Sequence, residues 1–128
     1  MASAVITEWY RIVAEADLAA LERLVADDAV FLSPAVHAPQ AGKALVIKYL
    51  SAAHAILANP TFKYIGEWVA QRSAVLEFEL AIEGVYINGV DLISWNEAGQ
   101  IESFKVMIRP IKGLNTVIGM MGQLLMRG

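Results

Sequence analysis

Residues 74–83 read Ala-Val-Leu-Glu-Phe-Glu-Leu-Ala-Ile-Glu, and this alternation limits what the chain can fold into. Side chains of a strand point to opposite faces in turn. Leu76, Phe78, Leu80 and Ile82 therefore share one face, and Glu77, Glu79 and Glu83 share the other. Such a strand belongs in a sheet with one covered side and one polar side. Residues 62–70, 85–96 and 101–108 extend the pattern, with Gly84 and Asn88-Gly89 as turn or bulge sites and Asn96–Gly99 as a hairpin turn. In 101–108 the apolar Phe104, Val106 and Ile108 again share a face, while Lys105, Met107 and Arg109 point the other way. Glu77 and Glu79 are expected to pair with Lys105 and Arg109 across the polar side.

The first half of the chain carries a different period. Ser3 caps a helix through Glu15, with Val5, Trp9, Ile12 and Val13 at helical spacing. Asp17 caps a second helix over Leu18, Leu21, Leu24 and Val25, ended by Asp27-Asp28. A short strand, Val30–Leu32, leads into a loop holding Pro34, Pro39 and Gly42. A third helix spans about Lys43 to Leu57 with Val46, Ile47, Leu50, His54 and Leu57 on one face, and Asn59-Pro60 stops it. Residues 111–126 read as a closing helix. Helices followed by a strand meander predict one α+β domain over residues 1–128.

Composition narrows the function classes. Apolar residues make up 57% of the 128, above the ~45–50% of an average soluble domain. The excess is expected to line an internal cavity and to cover a homodimer interface. With no cysteine, disulfide and thiolate chemistry are excluded. A net charge of -3 and scattered Lys and Arg argue against nucleic acid. The first residues lack the pattern of a signal peptide, and the uncharged run 113–126 is shorter than the ~18 residues of a membrane span. A cytoplasmic location is expected. The two histidines have no metal-ligand spacing, and there is no nucleophile elbow or phosphate-binding glycine loop. Neither a metal nor a cofactor is expected.

Asp91 stands out. It alternates with Val90 and Leu92, so it shares a face with Ile93 and looks toward Phe78 and Phe104. Apolar surroundings disfavour the charged form of a carboxyl, which suits a neutral acid or a poised base. His54 falls on the apolar face of the third helix and is a candidate pocket residue, though a lone core histidine is more often held by one backbone carbonyl. Phe78, Leu80, Phe104 and Val106 are expected to line the pocket. Glu77 and Glu79 lie on the opposite side and read as surface or interface charge.

Two stretches resemble a known family. One is Asp17-Leu18, then Ala26-Asp27-Asp28-Ala29-Val30, Ser33-Pro34 and Gly42. The other is residues 89–101, running on to Val106-Met107-Ile108-Arg109-Pro110. Together they resemble the nuclear-transport-factor-2-like superfamily, in its ketosteroid-isomerase and SnoaL-like polyketide-cyclase branch. The resemblance implies a cone-shaped curved antiparallel sheet wrapped around N-terminal helices (an NTF2-like, cystatin-like α+β barrel). It also implies a central apolar pocket and a homodimer through the outer sheet face. In ketosteroid isomerases a helix tyrosine and a protonated strand aspartate form an oxyanion hole, and a second aspartate is the base. Asp91 matches the strand aspartate, Trp9 or its neighbour Tyr10 the tyrosine, and Ser33 the base. His37, in the loop beside Ser33, is then the candidate proton-transfer partner of Asp91. The expected ligand is a small hydrophobic molecule, contacted also by Trp9, Ser33 and His54. The expected chemistry is cofactor-independent isomerisation, cyclisation or dehydration. A non-catalytic binding protein or a dimerisation module of the same fold is the alternative.

Overall fold

The computed structural model describes residues 3–127. Helices α1 (Ala4–Glu15) and α2 (Leu18–Leu24) come first, followed by β1 (Val25–Leu32) and the two-residue β2 (Gln40–Ala41). Helix α3 (Lys43–Leu57) precedes four long strands, β3 (Lys63–Val69), β4 (Ser73–Ile82), β5 (Val85–Trp95) and β6 (Ile101–Arg109). Helix α4 (Ile111–Arg127) closes the chain. The caps are those the sequence predicts. Ser3 Oγ accepts from the Val5 amide and the Asp17 carboxylate from the Ala20 amide, each satisfying a backbone donor at a helix start.

The strands form one six-stranded sheet in the order β2-β1-β6-β5-β4-β3. It is antiparallel except at β1, which runs parallel to β6. Here the structure departs from the sequence reading. Asp27 and Asp28 do not end a helix but sit exposed within β1, where Ala26 and Ala29 supply its buried side chains. Glu83 and Gly84 join β4 to β5 as a two-residue turn with both residues at positive φ, 50° and 79°. That hairpin geometry matches strand twist.

Asn88-Gly89 is not a turn. Both residues are paired through β5 with unbroken register, Asn88 opposite Glu79 and Gly89 opposite Phe78. The glycine serves packing instead. A Cβ on Gly89 would lie 2.5 Å from Phe78 Cζ and 2.6 Å from the Met107 carbonyl oxygen. Gly89→Ala is therefore expected to lower stability by at least about 2 kcal/mol, because neither the ring nor the backbone can yield freely. Urea unfolding checks this, and an unchanged midpoint would show that Phe78 has room to move.

The predicted ion pairs across the polar side do not form as expected. Strand β5 lies between β4 and β6, so Glu77 and Glu79 are two strands, about 9–10 Å, from Lys105 and Arg109. Glu79 instead meets Lys63 of β3 at 3.4 Å and accepts from the Tyr86 hydroxyl, while Glu77 accepts from the Asn88 amide.

The core lies between the sheet's inner face and the helices. Trp9, Ile12, Leu21, Val46, Leu50 and Val117 from the helices meet Phe31, Leu76, Phe78, Ile93 and Phe104 from the sheet. Among the described residues no helix is long and apolar enough to cross a membrane.

Candidate active site

The inner face does not fill completely. A cavity of about 230 Å³ remains above the middle of the sheet. Its floor is Phe78, Asp91, Phe104, Val106 and Ile108. Helix α1 contributes Trp9 and Val13, α3 contributes Tyr49 and His54, and α4 contributes Ile118 and Met121. The loop after β1 closes one side with residues 33–36.

Among the described residues Asp91 is the one carboxyl lining this cavity, and it is 6% exposed. Register places it between Leu76 of β4 and Val106 of β6, both buried. Burial among apolar neighbours pushes its pKa up to about 7, and a hydrogen bond from Tyr64 partly opposes the rise. The Tyr64 hydroxyl donates to Asp91 Oδ2 at 2.8 Å, and the Trp9 indole Nε1–H donates to the same hydroxyl at 3.0 Å. Tyr64 is itself held well above the usual phenol range, chiefly by burial and then by the charge of Asp91, so it stays protonated and remains a donor.

Tyr64 is the residue that sequence reasoning missed. It faces the cavity because the chain entering β3 alternates, Phe62 just before the strand and Tyr64 within it turning inward, Lys63 and Ile65 outward. That alternation was visible in the sequence, but the partner was not. Tyr64 lies opposite Phe78, and Asp91 lies one strand further on, opposite Leu76. Only the sheet register shows that a side chain as long as tyrosine spans β4 to reach the carboxyl.

The other expected residues separate into three groups. Trp9, Ser33, His54, Phe78, Phe104 and Val106 all line the cavity. His54 also takes the structural role weighed for it, its Nε2 lying 2.9 Å from the Val13 carbonyl. A carbonyl oxygen can only accept, so Nε2 carries a hydrogen and donates it. Ser33 Oγ accepts from the Ala35 amide across a local turn. Leu80 is buried but does not reach the cavity. It pairs with Ile87 where Gly113 at the start of α4 packs against the β5 backbone, and that close approach fills the space. His37 is a clear correction. It is exposed and absent from the lining, because the loop borders the cavity only with Ser33 to Val36, of which Ala35 and Val36 are already exposed, and then runs out into solvent. The structure does not bring His37 to Asp91. Of the methionines grouped near the C-terminus, Met121 lines the cavity, while Met120 and Met126 are exposed.

Among the described residues, no three His, Cys, Asp or Glu side chains cluster as metal ligands would. What the arrangement can do is hold an apolar molecule against a carboxyl that exchanges a proton near neutral pH.

Sheet, helices and cavity define a nuclear-transport-factor-2-like α+β domain, the class shared by structurally similar proteins. The SnoaL-like domain model matches residues 6–104, and the chain belongs to that family. A crystallised steroid Δ-isomerase from Pseudomonas aeruginosa is 34% identical, with a TM-score of 0.88 over 97% of this chain and 90% of that one. A cystatin-like protein from Silicibacter pomeroyi, itself uncharacterised, is 27% identical, with a TM-score of 0.87 over 96% and 86%. The epoxide hydrolase/cyclase-like enzyme SalBIII of salinomycin pyran-ring formation is 21% identical at a TM-score of 0.64, over 82% and 88%, and shares the fold. No curated protein sequence matches the chain.

Proposed function

We propose that this protein binds a small, largely apolar molecule in the cavity and moves a proton on it with Asp91, as an isomerase- or cyclase-type enzyme. The observation that carries this reading is the buried Asp91 carboxyl, set in an apolar floor and held by Tyr64. A carboxyl that titrates near 7 can both take and return a proton at neutral pH. The 34% identical relative is a steroid Δ-isomerase, which is consistent with such chemistry. The cavity, at about 230 Å³, is smaller than the ~300–1,000 Å³ of sites for drug-sized ligands. A ligand of one or two rings fits that volume better than a larger one. In an isomerisation, ionised Asp91 takes the proton α to a carbonyl and the resulting dienolate takes it back at the γ carbon.

The test is solvent-deuterium uptake by a small cyclic β,γ-unsaturated ketone in heavy water, followed by mass spectrometry. Uptake and conversion to the conjugated isomer, both above buffer rates, are expected. One observation favours a second reading, a binder without catalysis. The resemblance puts Ser33 where the related isomerases carry their base, and among the described residues no second carboxyl lines the cavity. Retention of an apolar molecule in native mass spectrometry, with no exchange into any ketone tried, would establish the binder.

The same reading includes a homodimer through the outer sheet face. That side carries Met107, Trp68 and Tyr86, each about half exposed. Sedimentation at micromolar concentration should give twice the monomer mass of 13.9 kDa. A monomer would remove the claim.

A further inference from the structure

The chain of bonds behind Asp91 assigns a role to two residues. Trp9 Nε1–H donates to the Tyr64 oxygen and so occupies one of its acceptor positions. The Tyr64 hydrogen is then directed to Asp91 Oδ2, 2.8 Å away. Among the described residues no hydrogen bond reaches Asp91 Oδ1, yet Oδ1 is not among the fully enclosed polar atoms without partners, a condition met only by Ser51 Oγ. Oδ1 is therefore the oxygen that meets open space. The two oxygens of the carboxyl are thus unlike. The hydroxyl oxygen of a carboxylic acid is the poorer acceptor, so a neutral Asp91 keeps its proton on Oδ1 while Oδ2 accepts from Tyr64.

Resting on the proposed function above, we propose that Tyr64, locked in orientation by Trp9, is a positioning residue that makes Asp91 Oδ1 the reactive atom and sets the pH at which it gives up its proton. The bond from Tyr64 favours the carboxylate, since an ionised acceptor makes the stronger hydrogen bond. It opposes the burial that favours the neutral acid. Tyr64 is no proton donor to the ligand in this scheme, because its hydrogen is already engaged with Oδ2. Among the described residues the lining carries His54 and no Asp, Glu, Lys or Arg other than Asp91. His54 is turned to the Val13 carbonyl, and Glu67 is engaged by the Tyr10 hydroxyl.

The experiment is a carbon-13 NMR titration of Asp91 in the ligand-free chain, in the unmodified protein and in Tyr64→Phe and Trp9→Phe. Tyr64→Phe keeps the ring and removes only the hydroxyl. Its Asp91 midpoint should rise by about one to two pH units, the effect of losing one hydrogen bond to a charged acceptor. Trp9→Phe should give a smaller rise, since Tyr64 keeps its hydrogen but loses its lock. The acid limb of deuterium exchange into the ketone should move with each midpoint, which loss of packing alone would not cause. An unmoved midpoint in folded Tyr64→Phe overturns the inference and leaves the acid–base reading standing. If that variant does not fold, Trp9→Phe decides in the same way. A midpoint near 4 in the unmodified protein would overturn the acid–base reading itself.

Discussion

At pH 8 the Asp91→Asn protein is expected to be more stable than the unmodified chain by about 4 kcal/mol, and at pH 4 the two should be nearly equal. The cause is proton linkage. In the unfolded chain the Asp91 carboxyl titrates at its ordinary value of 3.8, and in the folded chain at about 7. Below pH 3.8 both states hold the proton, so the group does not bias folding. Between these values the unfolded chain has released its proton and the folded chain has not. Stability therefore falls as pH rises toward 7, then levels off once both states are ionised. The gap corresponds to about 4 kcal/mol at 1.36 kcal/mol per pH unit, or roughly 15 °C in Tm for a domain of this size. Asparagine has no proton to release, and its amide oxygen can still accept from Tyr64. Urea unfolding of both proteins at pH 4, 6 and 8 is the measurement. Parallel curves with a constant offset would show that Asp91 ionises alike in both states.

The same substitution should cost ~100-fold or more in the rate of deuterium exchange into the cyclic ketone, within the range of a positioned acid–base group. Binding of the ketone should change little, because asparagine matches aspartate in shape. The loss should fall on turnover rather than on KM, since the carboxyl acts on the proton in flight more than on the bound ground state. A variant that exchanges as fast as the parent would move the chemistry away from Asp91. His54, which also lines the cavity, would then be the next residue to substitute.

These two expectations pull in opposite directions: a residue that weakens the fold at neutral pH is expected to be the one that does the work. Such opposition is common where a site needs an ionisable group out of water.

How much of this could be read from the sequence differed from residue to residue. Alternation in residues 74–83 and 101–108 placed Phe78, Phe104 and Val106 on the cavity side, and the same parity placed Asp91 there. Helical spacing put His54 on the inner face of α3. Periodicity says which side a residue faces, but not how far along the sheet the empty space extends. Leu80 shows the difference, since it faces inward but lies under the start of α4. His37 failed for another reason. A proline-bounded loop has no period, so nothing in the sequence says which of its side chains turn inward. Tyr64 needed a third kind of information, the pairing of β3 with β4 and of β4 with β5, which depends on contacts remote in sequence.

The tight connection at Glu83-Gly84 has a consequence for how this site can change in evolution. It pairs Ile82 with Val85, and every pair down the hairpin follows, ending with Asp91 opposite Leu76. One residue added there, with the turn itself kept to two residues, would set Val90 opposite Leu76 and swing the carboxyl to the outside of the barrel. A second added residue would restore the facing but move the carboxyl along the floor. The site is thus guarded by an odd–even rule. Lineages that lengthen this hairpin by one must lose the buried acid or rebuild it at a neighbouring position, whereas loops elsewhere on the rim are free to vary in length.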